Sequence, residues 1–213
     1  MIGCGAVLAF HPANQCLMPL RISDAAAVVV PLRAPVVRFG AVPVSVPLYA
    51  QRAGNWCWLA VAQMAADTPP RSLKLSQCTL ASSYISGAKG CCTKVNSICD
   101  QAGDPVDIGQ IYTDHAVSFS VSTTPALEAA VLTALSSGFL VEVGWQTAFQ
   151  GHVVLVVGTH VDAAGNNRYS VNDPDPVNVG QIRNLDFAGL LNPPLVSSGG
   201  GPYRWTYTWS DIH

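Results

Sequence analysis

Residues 51–67 read QRAGNWCWLAVAQMAAD, and the rest of the chain is organised around this stretch. Arg52 to Asn55 is typical of a turn, whereas residues 56–66 form an apolar, alanine-rich run without Pro, Gly or a basic side chain. This pattern predicts a buried helix with Cys57 in its first turn. Unpaired N–H groups and the helix dipole favour a thiolate there, so Cys57 is a candidate nucleophile. The alternative is a structural cysteine packed between two tryptophans.

The composition indicates a folded globular protein. Of the 213 residues, 49% are hydrophobic and only 11% are charged, which is enough apolar material for one well-buried core. The net charge of −2 and the scattered basic residues provide no basic surface for nucleic acid or an anionic membrane. No uncharged apolar stretch is long enough to span a bilayer. We therefore expect a monomer with no nucleic-acid partner and no membrane partner.

Seven cysteines are the second strong signal: Cys4, Cys16, Cys57, Cys78, Cys91, Cys92 and Cys99. An odd number predicts disulfide bonds plus one free thiol, and Cys57 is the candidate for the free thiol because it lies in an apolar helical pattern. Adjacent cysteines rarely bond each other, so Cys91 and Cys92 should pair with Cys78 and Cys99, in an order that the spacing does not decide. Cys4 is then left to pair with Cys16. Zinc is the competing explanation, but an adjacent pair fits a tetrahedral site poorly, and we expect no metal.

Disulfide bonds imply an oxidising compartment, so we expect a secreted or otherwise exported protein. The N-terminus nevertheless differs from a standard signal peptide, because it has no basic segment and its short apolar run is interrupted by His11 and Pro12. Residues 1–45 consist of short extended pieces broken by prolines. We interpret them as an N-terminal extension or pro-segment, followed by one domain over residues 46–213.

Helices are predicted first and strands later, which indicates the α+β class. Ser76 should cap a second helix over residues 77–86, and a third should begin with Thr124 as its N-cap and end at Gly138. Strands then follow at residues 139–145 (FLVEVGW) and 202–209 (PYRWTYTW). Between them, residues 152–173 form either a β-hairpin or a pair of neighbouring strands, with GHVVLVVGTHV returning as RYSVND.

His152 opens a predicted strand directly after a flexible glycine, so a sheet would hold its imidazole rigidly at the end of a cleft. Asn172 and Asp173 end the returning strand and are suited to accept a hydrogen bond from the ring. The predicted register does not decide whether Asn172, Asp173 or Asp175 faces His152. The alternatives are a surface histidine and ordinary turn chemistry in Asn-Asp-Pro-Asp-Pro.

Taken together, these elements resemble a known family. Gln51, Cys57-Trp58 at the start of a helix, GHVVLVVG at residues 151–158 and Asn172-Asp173-Pro174 occur in the order typical of papain-like cysteine peptidases. The resemblance covers residues 45–210, and the WCWLA block and cysteine-rich loop are most similar to a bacterial branch of secreted, often effector-type enzymes. It implies an α+β fold in which an N-terminal helical part packs against an antiparallel sheet.

The same resemblance implies a role for each candidate residue. Cys57 would be the thiolate nucleophile, and His152 the general acid and base. Asp173 would orient the imidazole, with Asn172 as the alternative, and Gln51 would contribute to the oxyanion hole. The substrate would be a protein or peptide, and neither a metal nor an organic cofactor is required.

Two other classes of function stay open from the sequence. One is a different acyl-transfer enzyme on the same scaffold, a transglutaminase or a deamidase, which would keep the same residues. The other is a catalytically inactive interaction module stabilised by disulfide bonds, in which Cys57 is merely buried. Trp58 and Trp145 are interpreted either as walls of a cleft or as core residues.

Overall fold

The computed structural model describes residues 45–194 and 201–213, all of which belong to one compact unit, Arg38–His213. The predicted N-terminal extension lies outside this part of the chain except for Ser45, as do Cys4 and Cys16. The elements are α1 (Cys57–Asp67), α2 (Gln77–Tyr84), α3 (Pro105–Asp114), β1 (Ser120–Ser122), α4 (Glu128–Ser136), β2 (Leu140–Gln146), β3 (Gly151–Val161), β4 (Asn167–Asp173), β5 (Gln181–Leu185), α5 (Phe187–Leu191) and β6 (Arg204–Ile212). Within the described ranges, no helix combines the length and apolar character needed to cross a membrane.

The six strands form one antiparallel sheet in the order β1-β6-β2-β3-β4-β5. The two central strands, β2 and β3, bury side chains on both faces, because successive residues point to opposite sides. Leu140 and Leu155 pack towards α1, α2 and α3, whereas Val141 and Val154 pack towards α4 and α5. This two-sided burial explains the nearly continuous apolar sequence of β3. The predicted α+β architecture, with helices packed against an antiparallel sheet, is confirmed.

The first two helices start where the sequence predicted, but α2 ends at Tyr84, two residues before the predicted end at residue 86. α1 packs against β3 and ends at Asp67, just before the Thr-Pro-Pro segment that cannot continue a helix. α2 follows Ser76, whose hydroxyl accepts a hydrogen bond from the N–H of Thr79 at 3.2 Å. This N-cap satisfies one of the backbone donors that a helix start leaves unpaired.

The predicted start of the third helix is wrong. Thr124 is not its N-cap, because α4 begins at Glu128 and is preceded by Leu127 without a side-chain cap. The Thr124 carbonyl instead accepts a hydrogen bond from the hydroxyl of Thr208 on β6 at 2.8 Å, which holds this turn against the sheet. The elements α3, β1, β5 and α5 were not predicted from the sequence.

Two disulfide bonds fix the cysteine-rich loop. Cys78 on α2 is bonded to Cys92, and Cys91 is bonded to Cys99. The two adjacent cysteines therefore bond to other cysteines and not to each other, as predicted. The structure shows which cysteine each of them bonds, a choice that the spacing did not decide. Cys57 is a free thiol. The described residues contain no cluster of His, Cys, Asp and Glu that is suited to hold a metal ion.

Candidate active site

The N-terminus of α1 carries Cys57 to the end of the sheet where β3 begins. Cys57 is the first residue of the helix and is half-buried. The preceding Trp56 is fully buried, and its indole N–H donates to the Cys99 carbonyl at 2.7 Å, so the disulfide-bonded loop anchors the start of the helix. The Cys57 backbone N–H has no acceptor among the described residues, as expected for the first turn.

His152 is the second residue of β3, and its ring lies between Cys57 and Asp173. Its Nε2 lies 2.7 Å from the Oδ1 of Asp173, and only 11% of the side chain is exposed. His152 and Cys57 line the same cleft, and Nδ1 is the ring nitrogen that Asp173 does not occupy. Burial alone would lower the histidine pKa, but the hydrogen bonds to Asp173 and Cys57 and the charges of both outweigh it and raise this pKa to about 10. The imidazolium is therefore the stable form of His152 at neutral pH.

Asp173 is the last residue of β4 and is completely buried. One carboxylate oxygen accepts the bond from His152 and a second bond from the N–H of Asp175 at 3.0 Å. The other oxygen accepts from Nε of Arg183 at 2.5 Å. Burial acts to raise the pKa of Asp173, but His152, Arg183 and the Asp175 N–H together lower it below its usual value. Asp173 is thus held as a carboxylate.

Of the three predicted partners for the imidazole, only Asp173 contacts His152. Asn172 points to the opposite face of the sheet, since side chains alternate along β4, and its amide N–H donates to the Pro47 carbonyl at 3.4 Å. Asp175 lines the cleft beside His152 and reaches Asp173 through its backbone N–H.

Gln51 lies beside the start of α1 and is 3% exposed. Its side-chain Nε2 donates to the Gly54 carbonyl at 3.0 Å. A carboxamide nitrogen carries two N–H groups, so one N–H of Gln51, which lines the cleft, has no acceptor among the described residues. The backbone of Gln51 is fixed by the loop after Asp173: its N–H donates to Pro174, and its carbonyl accepts from Asn178, at 2.9 and 2.8 Å.

Cys57, His152 and Gln51 line one cleft of about 450 Å³, with Asp173 buried behind the histidine. Trp58 and Trp145 also border this cleft, although they are only 2% and 0% exposed. Each indole therefore forms part of the cleft wall and is also packed in the core. The Trp145 indole N–H donates to the Leu190 carbonyl at 2.7 Å. Among the described residues no Lys or Arg lines the cleft.

Two residues that hydrogen-bond the site residues or their chain neighbours were not predicted from the sequence. Arg183 lies on β5 opposite Val171, and this register places it diagonally across from Asp173 on the same face. Finding it required the pairing of a strand that the sequence did not reveal. Gln77 hydrogen-bonds the backbone on both sides of Gln51, and its only sequence signal is its position directly after the N-cap of α2.

Comparison with known proteins identifies the class of protein to which this fold and site belong. The sequence profile of the Peptidase_C39 like family matches residues 44–192, which is most of the chain, and the chain belongs to this family. It is therefore a papain-like cysteine peptidase, as the sequence analysis predicted. No curated protein matches the chain at a significant level.

The fold is similar to a solved peptidase domain. This is the peptidase domain of Streptococcus ComA, a bi-functional ABC transporter involved in a quorum sensing pathway. The TM-score is 0.51 at 14% sequence identity, and the match covers 78% of this chain and 96% of that domain. At this identity the likeness concerns the fold alone.

Proposed function

We propose that this peptidase hydrolyses peptide bonds with Cys57 as the nucleophile, His152 as the general acid and base, Asp173 as the residue that orients the imidazole, and Gln51 in the oxyanion hole. The observation that carries the proposal is the buried imidazole held between the Cys57 thiol and the Asp173 carboxylate. A histidine held in this way takes the thiol proton and leaves a thiolate beside an imidazolium.

In the first half of the reaction, the Cys57 thiolate attacks the carbonyl carbon of the scissile peptide. The carbonyl oxygen becomes an oxyanion, which the Gln51 side-chain N–H and the Cys57 backbone N–H stabilise. Loss of one such donor typically costs about 10²–10³ in rate. The C–N bond then breaks as His152 transfers its proton to the leaving amine, and an acyl-enzyme remains.

The high pKa of His152 is compatible with this proton transfer because it depends in part on Cys57. The hydrogen bond and negative charge of the thiolate are among the causes that raise it. As the sulfur forms a bond to carbon, its charge disappears and the proton on His152 becomes easier to release.

In the second half, neutral His152 accepts a proton from water, whose oxygen attacks the acyl carbon. The S–C bond then breaks, the acid product leaves, and the thiolate–imidazolium pair is restored. Asp173 keeps the same nitrogen of the ring facing Cys57 throughout, and Arg183 keeps Asp173 ionised.

We further propose that the protein is exported and acts as a monomer on protein or peptide substrates. Export is supported by the two disulfide bonds, which persist in oxidising compartments. The protein or peptide substrate is supported by membership of a peptidase family.

Labelling with a thiol-reactive epoxide tests the assigned roles. We expect rapid modification of Cys57, located by mass spectrometry, and labelling at least ~10-fold slower in His152→Ala, because the thiolate would no longer form with a neighbouring base. His160→Ala is the matched control, since His160 is exposed and lies further along the same strand. Equal labelling of wild type and His152→Ala would contradict the proposed roles.

A further inference from the structure

Gln77 is a buried polar side chain that hydrogen-bonds the backbone on both sides of Gln51. Its Oε1 accepts from the N–H of Arg52 at 2.9 Å, and its Nε2 donates to the Ala50 carbonyl at 2.8 Å. Only 3% of Gln77 is exposed. A backbone N–H needs an acceptor and a carbonyl needs a donor, so only the amide in this orientation satisfies both.

The second N–H of this amide contacts α1. Gln77 Nε2 donates to the Oε1 of Gln63 at 3.1 Å, and Gln63 in turn donates to the Leu75 carbonyl at 2.7 Å. Gln77 also follows the N-cap Ser76 and precedes Cys78, which is bonded to Cys92. The amide is thus fixed by two helices and a disulfide bond.

The segment Ala50–Arg52 is held from two sides. Gln77 binds the residue before Gln51 and the residue after it, whereas the loop after Asp173 binds Gln51 itself through Pro174 and Asn178. Gly180 in that loop packs tightly on Ala50, since a Cβ built on it would lie 3.3 Å from Ala50 Cα. Without Gln77 only one of these two supports remains.

We propose that Gln77 is a positioning residue that holds the Gln51 amide at the geometry needed to stabilise the oxyanion. The inference rests on the proposed function, because it assigns Gln77 to the oxyanion hole formed with Gln51. Preorganised donors are effective only when they are already aimed at the oxygen that acquires charge, so loss of the support should slow acyl transfer more than it weakens substrate binding.

A double-mutant cycle on Gln51 and Gln77 tests this role. Gln77→Met keeps the length of the side chain and removes all three hydrogen bonds. We expect kcat to fall about 10-fold or more with KM changed less than about 3-fold. In a Gln51→Ala background the same substitution should lower kcat less than about 2-fold, because the amide that Gln77 positions is already absent. Gln77→Glu keeps the acceptor for Arg52 but places a carboxylate oxygen against the Ala50 carbonyl and the Oε1 of Gln63, so its kcat should also fall about 10-fold or more.

Three further measurements separate positioning from a structural role. The rate of Cys57 alkylation by iodoacetamide should be unchanged in Gln77→Met, since this reaction forms no oxyanion. Gln110→Met, on the exposed face of α3, is the matched control and should leave kcat unchanged. Thermal unfolding of each variant shows whether it is folded, and Gln77→Glu replaces Gln77→Met in the cycle if the latter is not.

Two results would overturn the proposal. One is an unchanged kcat in Gln77→Met, and the other is an equal loss in the wild-type and Gln51→Ala backgrounds. The kcat values of the cycle are measured with an activated ester as well as with a peptide, because acylation by either substrate forms an oxyanion. Failure of the proposed function would be seen separately, as ester and peptide turnover that survives in Cys57→Ala.

Discussion

Three charged groups alternate in sign beside Cys57 at the candidate active site. The Arg183 guanidinium binds the Asp173 carboxylate, which binds the His152 ring, and this ring lines the same cleft as Cys57. Each group stabilises the charged form of its neighbour, and burial strengthens these interactions. The arrangement explains why a buried histidine keeps a proton that burial alone would remove.

Removal of the Asp173 charge should shift the pH profile of the enzyme. Asp173→Asn removes one of the causes that raise the His152 pKa to about 10. The imidazolium should then lose its proton at lower pH, so we expect the alkaline limb of the kcat/KM profile to move down from about pH 10 by at least ~1 pH unit. Activity at the optimum should fall about 10–100-fold.

The control for this prediction is Asp186→Asn, which removes an exposed carboxylate paired with Arg168 at 3.6 Å, away from the cleft. Its pH profile should match that of the wild type. An alkaline limb that stays in place in Asp173→Asn would show that another group sets the protonation of His152.

At the scale of elements, two segments meet closely at one wall of the cleft. A Cβ built on Gly103 would lie 2.4 Å from the nearest ring atom of Trp58, in the first turn of α1. The Trp58 indole N–H also donates to the Gln101 carbonyl at 3.1 Å. Only glycine allows the loop before α3 to approach the ring so closely.

Gly103→Ala should therefore displace either Trp58 or this loop. We expect a loss of about 1–3 kcal/mol in the free energy of unfolding, typical of overpacking, together with a lower kcat/KM. Urea denaturation measures the first effect. The matched control is Gly158→Ala on β3, where a Cβ meets no atom within 4 Å and the effect should stay within about 0.5 kcal/mol. Equal stability of the two variants would contradict the assigned packing.

The elements that the sequence predicted are those with strong local signals. α1 has an alanine-rich apolar run ended by prolines, and the hairpin of β3 and β4 has a β-branched run, a turn and a returning strand. α3 was missed although its signal was present: Asp104, Pro105 and Asp107 form a capping box with proline at the helix start. β5 was missed because its burial alternates weakly, as expected for an edge strand.

The site residues, too, could be predicted where the local sequence signal is strong. Cys57 is the first residue of α1 and His152 the second residue of β3, and local sequence reveals both elements, so their position at the end of the sheet followed from the fold class. The choice between Asn172 and Asp173 required the strand register, and Arg183 required the pairing of β5. Contacts between distant segments decide such details, and a single sequence does not contain the register that produces them.

At the scale of the whole molecule, the interior between the sheet and the helices contains a titratable group that takes no part in the proposed reaction. Glu142 on β2 is completely buried and accepts a hydrogen bond from the Tyr112 hydroxyl of α3 at 2.5 Å. Burial raises its pKa from 4.5 to about 8, although the bond from Tyr112 acts in the opposite direction. Glu142 is therefore protonated in the folded protein at neutral pH, and its Oε1 has no hydrogen-bond partner among the described residues.

This carboxyl should make the fold less stable as pH rises. Between about pH 4.5 and 8 the unfolded chain releases the proton and the folded chain keeps it, so the free energy of unfolding contributed by Glu142 is complete below pH 4.5 and is lost towards pH 8. Glu142→Gln keeps the shape without the titration. The stability of the wild type relative to Glu142→Gln should fall between pH 5 and pH 8 in thermal denaturation, and a pH-independent difference would contradict the buried, protonated state.

The central claim is that this chain cleaves peptide bonds with the thiol of Cys57. The most direct measurement compares wild type with Cys57→Ala on a mixed peptide library, read by mass spectrometry without strong reductant, so that both disulfide bonds persist. We predict cleavage by wild type and none by Cys57→Ala, because no other free cysteine occurs among the described residues. The same comparison separates hydrolysis of the backbone from transfer to an amine or loss of a side-chain amide, which change peptide mass without cutting the chain. Cleavage that survives in Cys57→Ala, or modification of side-chain amides without backbone cleavage, would contradict the account.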